Sequence, residues 1–193
     1  MTSISRTIDG DAQRRESRNA LIAGRQALPV PQRQAADAAI AAGVDALLAT
    51  LRPGVLAAYW PIRGEPDLRD ALPRWQAAGW TLALPRVVAP GQALAFGRWQ
   101  PGMAMRRERF DVAVPEPFEP VRPDCLLVPC VGFDRRGYRL GYGGGFYDRT
   151  LAALDAAFAI GVCHDLAEVA GFAPHEHDRP MNAIVTETRT LRP

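Results

Sequence analysis

"CLLVPCVGFDRRGYRLGYGGGFYDRTLAALDA" (residues 125–156) places an apolar run, a glycine-rich loop and a helical pattern in immediate succession. Cys125–Pro129 is apolar throughout and closed by proline, the pattern of a short buried strand. From Phe146 onward, FYDRTLAALDA carries helical spacing. Between them, Gly141, Gly143, Gly144 and Gly145 crowd one short loop. Glycine in place of alanine costs about 0.5–1 kcal/mol in a regular element, so a cluster of them marks a place where bare backbone is needed. In α/β sheets ligands bind beyond the carboxyl ends of strands, where loops enter helices. Backbone N–H groups there can approach an anion, and the helix N-terminus adds positive potential. The loop therefore reads as a phosphate cradle, with Arg139 and Arg149 flanking it. It is not a Walker A loop, because no Gly-Lys-Ser/Thr follows, and it lacks the third glycine of the dinucleotide fingerprint G-x-G-x-x-G. A tight turn that only packs a helix onto the sheet is the competing reading.

Working outward, the period of the sequence alternates. Asp11–Leu28 reads as a helix with Arg14, Arg18 and Arg25 on one side at spacings of four and seven. A second helix, opened by Pro29-Val30-Pro31, runs to about Leu51. Val55–Trp60 is a short apolar run fit for a strand. Asp67–Gly79 looks helical, with Pro73 a complication and Gly79 a C-cap. Thr81–Pro85, Leu94–Trp99, Phe158–Cys163 and Ala183–Glu187 read as further strands, the second of these in a possible hairpin. The segment 86–123, rich in prolines and charges, reads as loops or an edge hairpin. Strands alternating with helices predict a single-domain layered α/β/α fold with a mostly parallel central sheet, over residues 11–193, behind a loose polar N-terminus at 1–10.

The 193 residues are enough for one ordinary core. Net charge is only +2, yet all 23 basic residues are arginine. Every cationic contact to a phosphate or carboxylate must then come from a guanidinium, whose fork suits bidentate anion binding. No signal-peptide pattern or long apolar run is present, so neither export nor a membrane partner is expected, and the expected location is the cytoplasm. The cysteines Cys125, Cys130 and Cys163 are odd in number and lack CxxC spacing, which argues for reduced, buried thiols.

The string RLGYGGGFYDR, behind VPCVGFD, resembles the signature of the 5-formyltetrahydrofolate cyclo-ligase family, approximately Arg-Leu-Gly-x-Gly-x-Gly-Tyr-Tyr-Asp. The departure in its core is Phe146 in place of tyrosine. Further segments are similar in order: YWPIRGEPD (residues 59–67), VPEP (114–117) and PHEHDRPMNAIVTE (174–187), with a basic opening helix before them. The resemblance spans residues 14 to 187.

Members of that family close 5-formyltetrahydrofolate with ATP and Mg²⁺, so the resemblance implies ATP, Mg²⁺ and a reduced folate as small-molecule partners. It implies ATP contacts from Arg14, Arg18, and Arg139 through Tyr147, that is Leu140, Gly141, Tyr142, Gly143, Gly144, Gly145 and Phe146 as well. Arg139 and Tyr147 would act catalytically. Trp60, Glu65 and the stretch Tyr142–Phe146 would face the folate, Glu65 accepting hydrogen bonds from the N–H and NH₂ edge of the pterin. Asp148 and Asp178 would hold Mg²⁺, which commonly takes one or two carboxylates besides substrate phosphates. Arg14 stands where the family carries lysine. Glu116 is a weaker rim candidate. His175 and His177 beside Asp178 read as polar loop residues rather than metal ligands. Many members have a glutamine within the stretch matching residues 164–172, and this chain has none. Two other readings remain open: the same fold and nucleotide site with a different substrate, and a non-catalytic RNA- or partner-binding protein, which the near-neutral charge disfavours. A monomer or small homo-oligomer without nucleic acid is expected.

Overall fold

The computed structural model describes residues 8, 10–108, 112–173 and 178–193. In chain order its elements are α1 (Asp11–Gln26), α2 (Val30–Leu48), β1 (Val55–Ala57), α3 (Leu72–Ala77), β2 (Thr81–Val87), β3 (Leu94–Arg98), β4 (Ala104–Arg107), β5 (Ala113–Glu116), β6 (Pro120–Val121), β7 (Cys125–Pro129), β8 (Gly132–Phe133), β9 (Arg139–Leu140), α4 (Phe146–Ala153), β10 (Phe158–Val162), β11 (Ala183–Val185) and β12 (Thr190–Leu191). Eight strands form one sheet in the order β12-β11-β10-β7-β1-β2-β3-β6. The inner strands β11, β10, β7, β1 and β2 pair in parallel, and antiparallel pairs close both edges. The expected layered α/β fold is the one observed.

Alternation along the inner strands explains the layers. Leu56, Cys125, Leu127 and Ile160 turn to one face, where Ile40, Val44 and Leu47 of α2 and Trp75 of α3 cover them. Ala57, Leu126, Val128 and Ile184 turn to the other, under Leu21 and Ile22 of α1 and Leu151 of α4. A strand buried on both faces must be apolar at every position, which is why β7 reads CLLVP without a polar break. Each such leucine contributes about 1.5–3 kcal/mol by leaving water.

Local chemistry sets several ends. The predicted helix 67–79 is a 3₁₀ turn, Arg69–Ala71, followed by α3. Pro73 sits in the first turn of α3, where its missing N–H is not needed, so it starts the helix instead of breaking it. Gly79 follows the C-cap with φ +96°, a left-handed conformation that glycine adopts without strain. Strand β2 continues past the expected stop at Pro85 because β3 pairs with it in a hairpin register, Pro85 opposite Phe96. The apolar run after Gly54 leaves the sheet at Ala57, earlier than expected. Segment 86–123 contains the hairpin partner β3, the separate ribbon of β4 with β5, and a cis Glu116–Pro117 bond. Most of the N-terminus expected to be loose lies outside the described residues. Ile8 is described, and it is fully buried and bonded through its backbone to Gly171 and Ala173.

Candidate active site

Strand β1 is followed on one side of the sheet by β2, whereas its other neighbour, β7, leads away towards β10 and β11. Loops leaving the carboxyl ends of β1 and β7 therefore diverge, and a crevice opens between them. A cleft of about 1420 Å³ lies there. That exceeds the ~300–1,000 Å³ usual for one small ligand and suits two molecules side by side. The residues given ATP, folate or metal roles by the resemblance line it: Arg14 and Arg18 from α1, Trp60 and Glu65 after β1, Arg139 through Asp148, and Asp178. Glu116 is not among the lining residues; it is exposed on β5 beside Arg106 at 3.6 Å. His175 and His177 lie outside the described residues.

The anion side is built by α1 against the glycine loop. Arg18 donates Nε–H to the Gly141 carbonyl at 2.7 Å. Burial lowers its guanidinium's pKa, and nearby Arg14 adds to the effect. Gly143 sits beneath that guanidinium with φ +91°, and a Cβ there would stand 3.3 Å from Arg18 Nη2. A Cβ on Gly141, by contrast, would meet no atom of the described residues beyond its chain neighbours within 4 Å. Arg14 donates Nη2 to the Ala173 carbonyl and faces Asp178 at 3.7 Å. Its buried Nε has no hydrogen-bond partner among the described residues. An orphan buried donor beside an arginine-lined cleft fits a phosphate oxygen.

Asp148 lies in the first turn of α4, where the helix dipole favours an acid. It is ion-paired with Arg139, whose side chain is otherwise buried and also donates to the Arg179 carbonyl at 3.1 Å. Asp148 and Asp178 both line the cleft with partly exposed side chains. No cluster of three or more His, Cys, Asp or Glu stands ready for a metal among the described residues. Two hard carboxylates beside a phosphate cradle nevertheless fit Mg²⁺, whose remaining positions go to phosphate and water.

The opposite end holds a buried acid. Glu65 is 4 % exposed. Its Oε2 accepts the Ile62 N–H at 2.9 Å, and its Oε1 accepts the Tyr142 hydroxyl at 2.8 Å. Burial raises its carboxyl above the ordinary value, while those hydrogen bonds and Arg25 pull the other way. Tyr147 has its phenol pushed up by burial and by the charge of Glu65. Trp60 meets Trp99 edge-on at 6.2 Å between ring centres, with the Arg69 guanidinium 5.2 Å over its ring. This apolar shelf beside a carboxylate suits a flat, hydrogen-bonding heterocycle.

Sequence reading passed over Arg15, Asn19, Tyr59 and Arg63, which also line the cleft. It placed Arg25 on the basic face of α1 but gave it no role, although the spacing of seven from Arg18 was the available signal.

Comparison with known proteins adds an independent line. The 5-formyltetrahydrofolate cyclo-ligase family matches over residues 10–187. A 5-formyltetrahydrofolate cyclo-ligase of Mycolicibacterium smegmatis is 31% identical over 185 residues, covering 90% of this chain and 93% of that protein. The Escherichia coli K12 protein of the same name is 33% identical over 143 residues, 69% of this chain and 78% of its own length. The solved structure of Aquifex aeolicus 5,10-methenyltetrahydrofolate synthetase superposes with a TM-score of 0.80 at 28% identity, over 93% of this chain and 92% of that one. The cradle, the buried acid and the sheet that carries them are thus those of a member of the 5-formyltetrahydrofolate cyclo-ligase family, to which this chain belongs.

Proposed function

We propose that the cleft cyclises 5-formyltetrahydrofolate to 5,10-methenyltetrahydrofolate with consumption of ATP and release of ADP and phosphate. The observation that carries this reading is spatial: residues from four distant segments, each marked by the family resemblance, line one cleft large enough for both substrates. In the reaction the formyl oxygen attacks the γ-phosphorus and ADP departs. N10 then attacks the activated formyl carbon, its proton passes to solvent, and the C–O bond breaks to release phosphate. Transfer of this kind depends chiefly on positioning and on charge stabilisation.

The side chains divide that work. The backbone of Gly141–Gly145 and the guanidinium groups of Arg14, Arg18 and Arg139 bind the phosphates. Asp148 and Asp178 would hold Mg²⁺, which when bound supplies charge neutralisation to the phosphate oxygens. Glu65 orients the pterin through its N–H and NH₂ edge, and Trp60 lies along the ring. Tyr147, kept a neutral phenol, is a hydrogen-bond donor beside Arg139. The cytoplasm, where thiols stay reduced, suits the three free buried cysteines. No helix among the described residues is long and apolar enough to cross a membrane.

The test is direct. Purified protein is mixed with Mg-ATP and 5-formyltetrahydrofolate, and the near-ultraviolet absorbance of the methenyl product is followed. An ATP-dependent rise is expected; a folded, ATP-binding protein that gives none overturns the reading.

A further inference from the structure

The glycine string's pattern leaves two x positions open, and the first, after Gly141, holds Tyr142. The hydroxyl of Tyr142 accepts from Arg25 Nη2 and donates to Glu65 Oε1 at 2.8 Å. Arg25 can only donate, so the single phenolic proton is directed to the carboxylate. Arg25 cannot shift to follow a moving partner. It is 2 % exposed, with Nε on the Arg63 carbonyl at 2.9 Å and Nη1 on the Cys130 carbonyl at 3.2 Å. Arg63 holds a left-handed φ of +48° and, like Arg25, sets its guanidinium carbon 5.7 Å from the centre of the Tyr142 ring. One side chain of the phosphate loop is thereby fixed to the acid at the other end of the cleft.

We propose that Tyr142 and Arg25 are positioning residues for Glu65: the arginine-held hydroxyl keeps the buried carboxylate ionised and oriented for the donor edge of the folate ring, and it couples folate affinity to the glycine loop. This rests on the function proposed above. Oε2 accepts from the Ile62 N–H and Oε1 from Tyr142, with Arg25 Nη2 at 3.9 Å from Oε1, so among the described residues each oxygen accepts one hydrogen bond and can accept a second from a paired N–H and NH₂ edge. The charged and titratable groups facing Glu65 are Arg25 from α1, Arg63 from the turn after β1, Tyr59 beyond β1, Cys130 beyond β7, Tyr142 from the loop and Tyr147 from α4. Burial pushes the three phenols up and the Cys130 thiol to about 11, so among these groups Glu65 alone changes charge on the acid side of neutrality. Losing the Tyr142 hydroxyl removes a hydrogen bond made to the ionised form. The Glu65 carboxyl then titrates at higher pH, and folate binding fails earlier on acidification.

The experiment is calorimetric binding of 5-formyltetrahydrofolate between about pH 5 and pH 8, on wild type, Tyr142→Phe, Glu65→Gln and the double variant. Tyr142→Phe keeps the ring and its volume. It is expected to weaken folate binding about tenfold at neutral pH, the loss of one charge-assisted hydrogen bond. Its acid limb should move to higher pH and its Tm should fall by a few degrees, because Arg25 Nη2 loses its acceptor, while its affinity for Mg-ATP stays within error. In the Glu65→Gln background the same substitution should leave both folate affinity and its pH dependence unchanged. An unmoved acid limb, or equal losses for folate and ATP, overturns the inference, as does a wild-type protein that binds no folate. Binding with the expected shifts but without methenyl formation would leave the inference standing and remove the proposed function.

Discussion

Arg18 and Gly141, 123 residues apart in sequence, are joined by an Nε–H···O=C hydrogen bond of 2.7 Å. The bond clamps the first helix onto the glycine loop and leaves the loop's next glycines with different duties. At Gly143 the chain itself demands glycine, through its left-handed φ and the guanidinium above it. At Gly141 no neighbouring atom of the described residues does. Gly143→Ala should therefore lower Tm by several degrees and cut turnover, since a left-handed alanine costs about 1–2 kcal/mol before any clash. Gly141→Ala should keep the wild-type Tm yet raise the KM for ATP, because the added methyl intrudes only on the ligand. Thermal melts paired with ATP kinetics separate the two, and equal Tm losses would refute the distinction.

Asp148 faces both Arg139 and the cleft. If it holds Mg²⁺, Asp148→Asn should raise the Mg²⁺ concentration for half-maximal turnover by at least about tenfold, some 1.4 kcal/mol. Folate binding measured without nucleotide should not change. A magnesium titration of the initial rate that superposes on wild type would remove Asp148 from the metal site.

Glu168 tests the pH dependence of stability away from the cleft. Its carboxyl is held below the ordinary value, first by the Arg135 hydrogen bond at 2.6 Å and further by Arg189. A depressed carboxyl adds stability that is present above the unfolded value near 4.5 and is lost as pH falls through the folded one. Glu168→Gln should consequently melt below wild type near neutrality and converge with it as pH falls through the folded value, below 4.5. A Tm difference that stays constant across that range would contradict the assignment.

Gly43 lies in α2, where alanine would gain about 1 kcal/mol of helix propensity. A Cβ there would stand 2.6 Å from Val185 Cγ1 of β11. Overpacking of this kind costs about 1–3 kcal/mol, so the clash should win and Gly43→Ala should lower Tm by a few degrees. Adding Val185→Ala should cost less than the sum of the two single changes, as residues in contact do not add independently. Strict additivity in the melts would mean the helix simply shifts.

What the chain reveals in one dimension follows its physics. Strand β7 has the bounds expected because burial on both faces leaves an unbroken apolar run ending at Pro129. The helix face bearing Arg14, Arg18 and Arg25 was legible from spacing alone. Strand β2 could not be bounded locally, since its last residues are held by the hairpin partner Leu94–Arg98 and not by their own propensity. The glycine string and its neighbours marked the cleft lining, because a loop that needs bare backbone leaves a compositional trace. The bridge Arg25–Tyr142–Glu65 left none. It joins residues 117 and 77 positions apart, and a tyrosine between glycines carries no sign of its partners.

Helix α1 finds its partners late in the chain: Arg25 at Cys130, Arg18 at Gly141, and the preceding Ile8 at Gly171 and Ala173. During synthesis α1 is made long before the segments that hold it, and it can dock only once they follow. Its arginine face stays in water until residues through Ala173 have left the ribosome, and until then the cleft lacks a wall. A product cut short before Gly141 would carry Arg14 and Arg18 without the Ala173 and Gly141 carbonyls that place them.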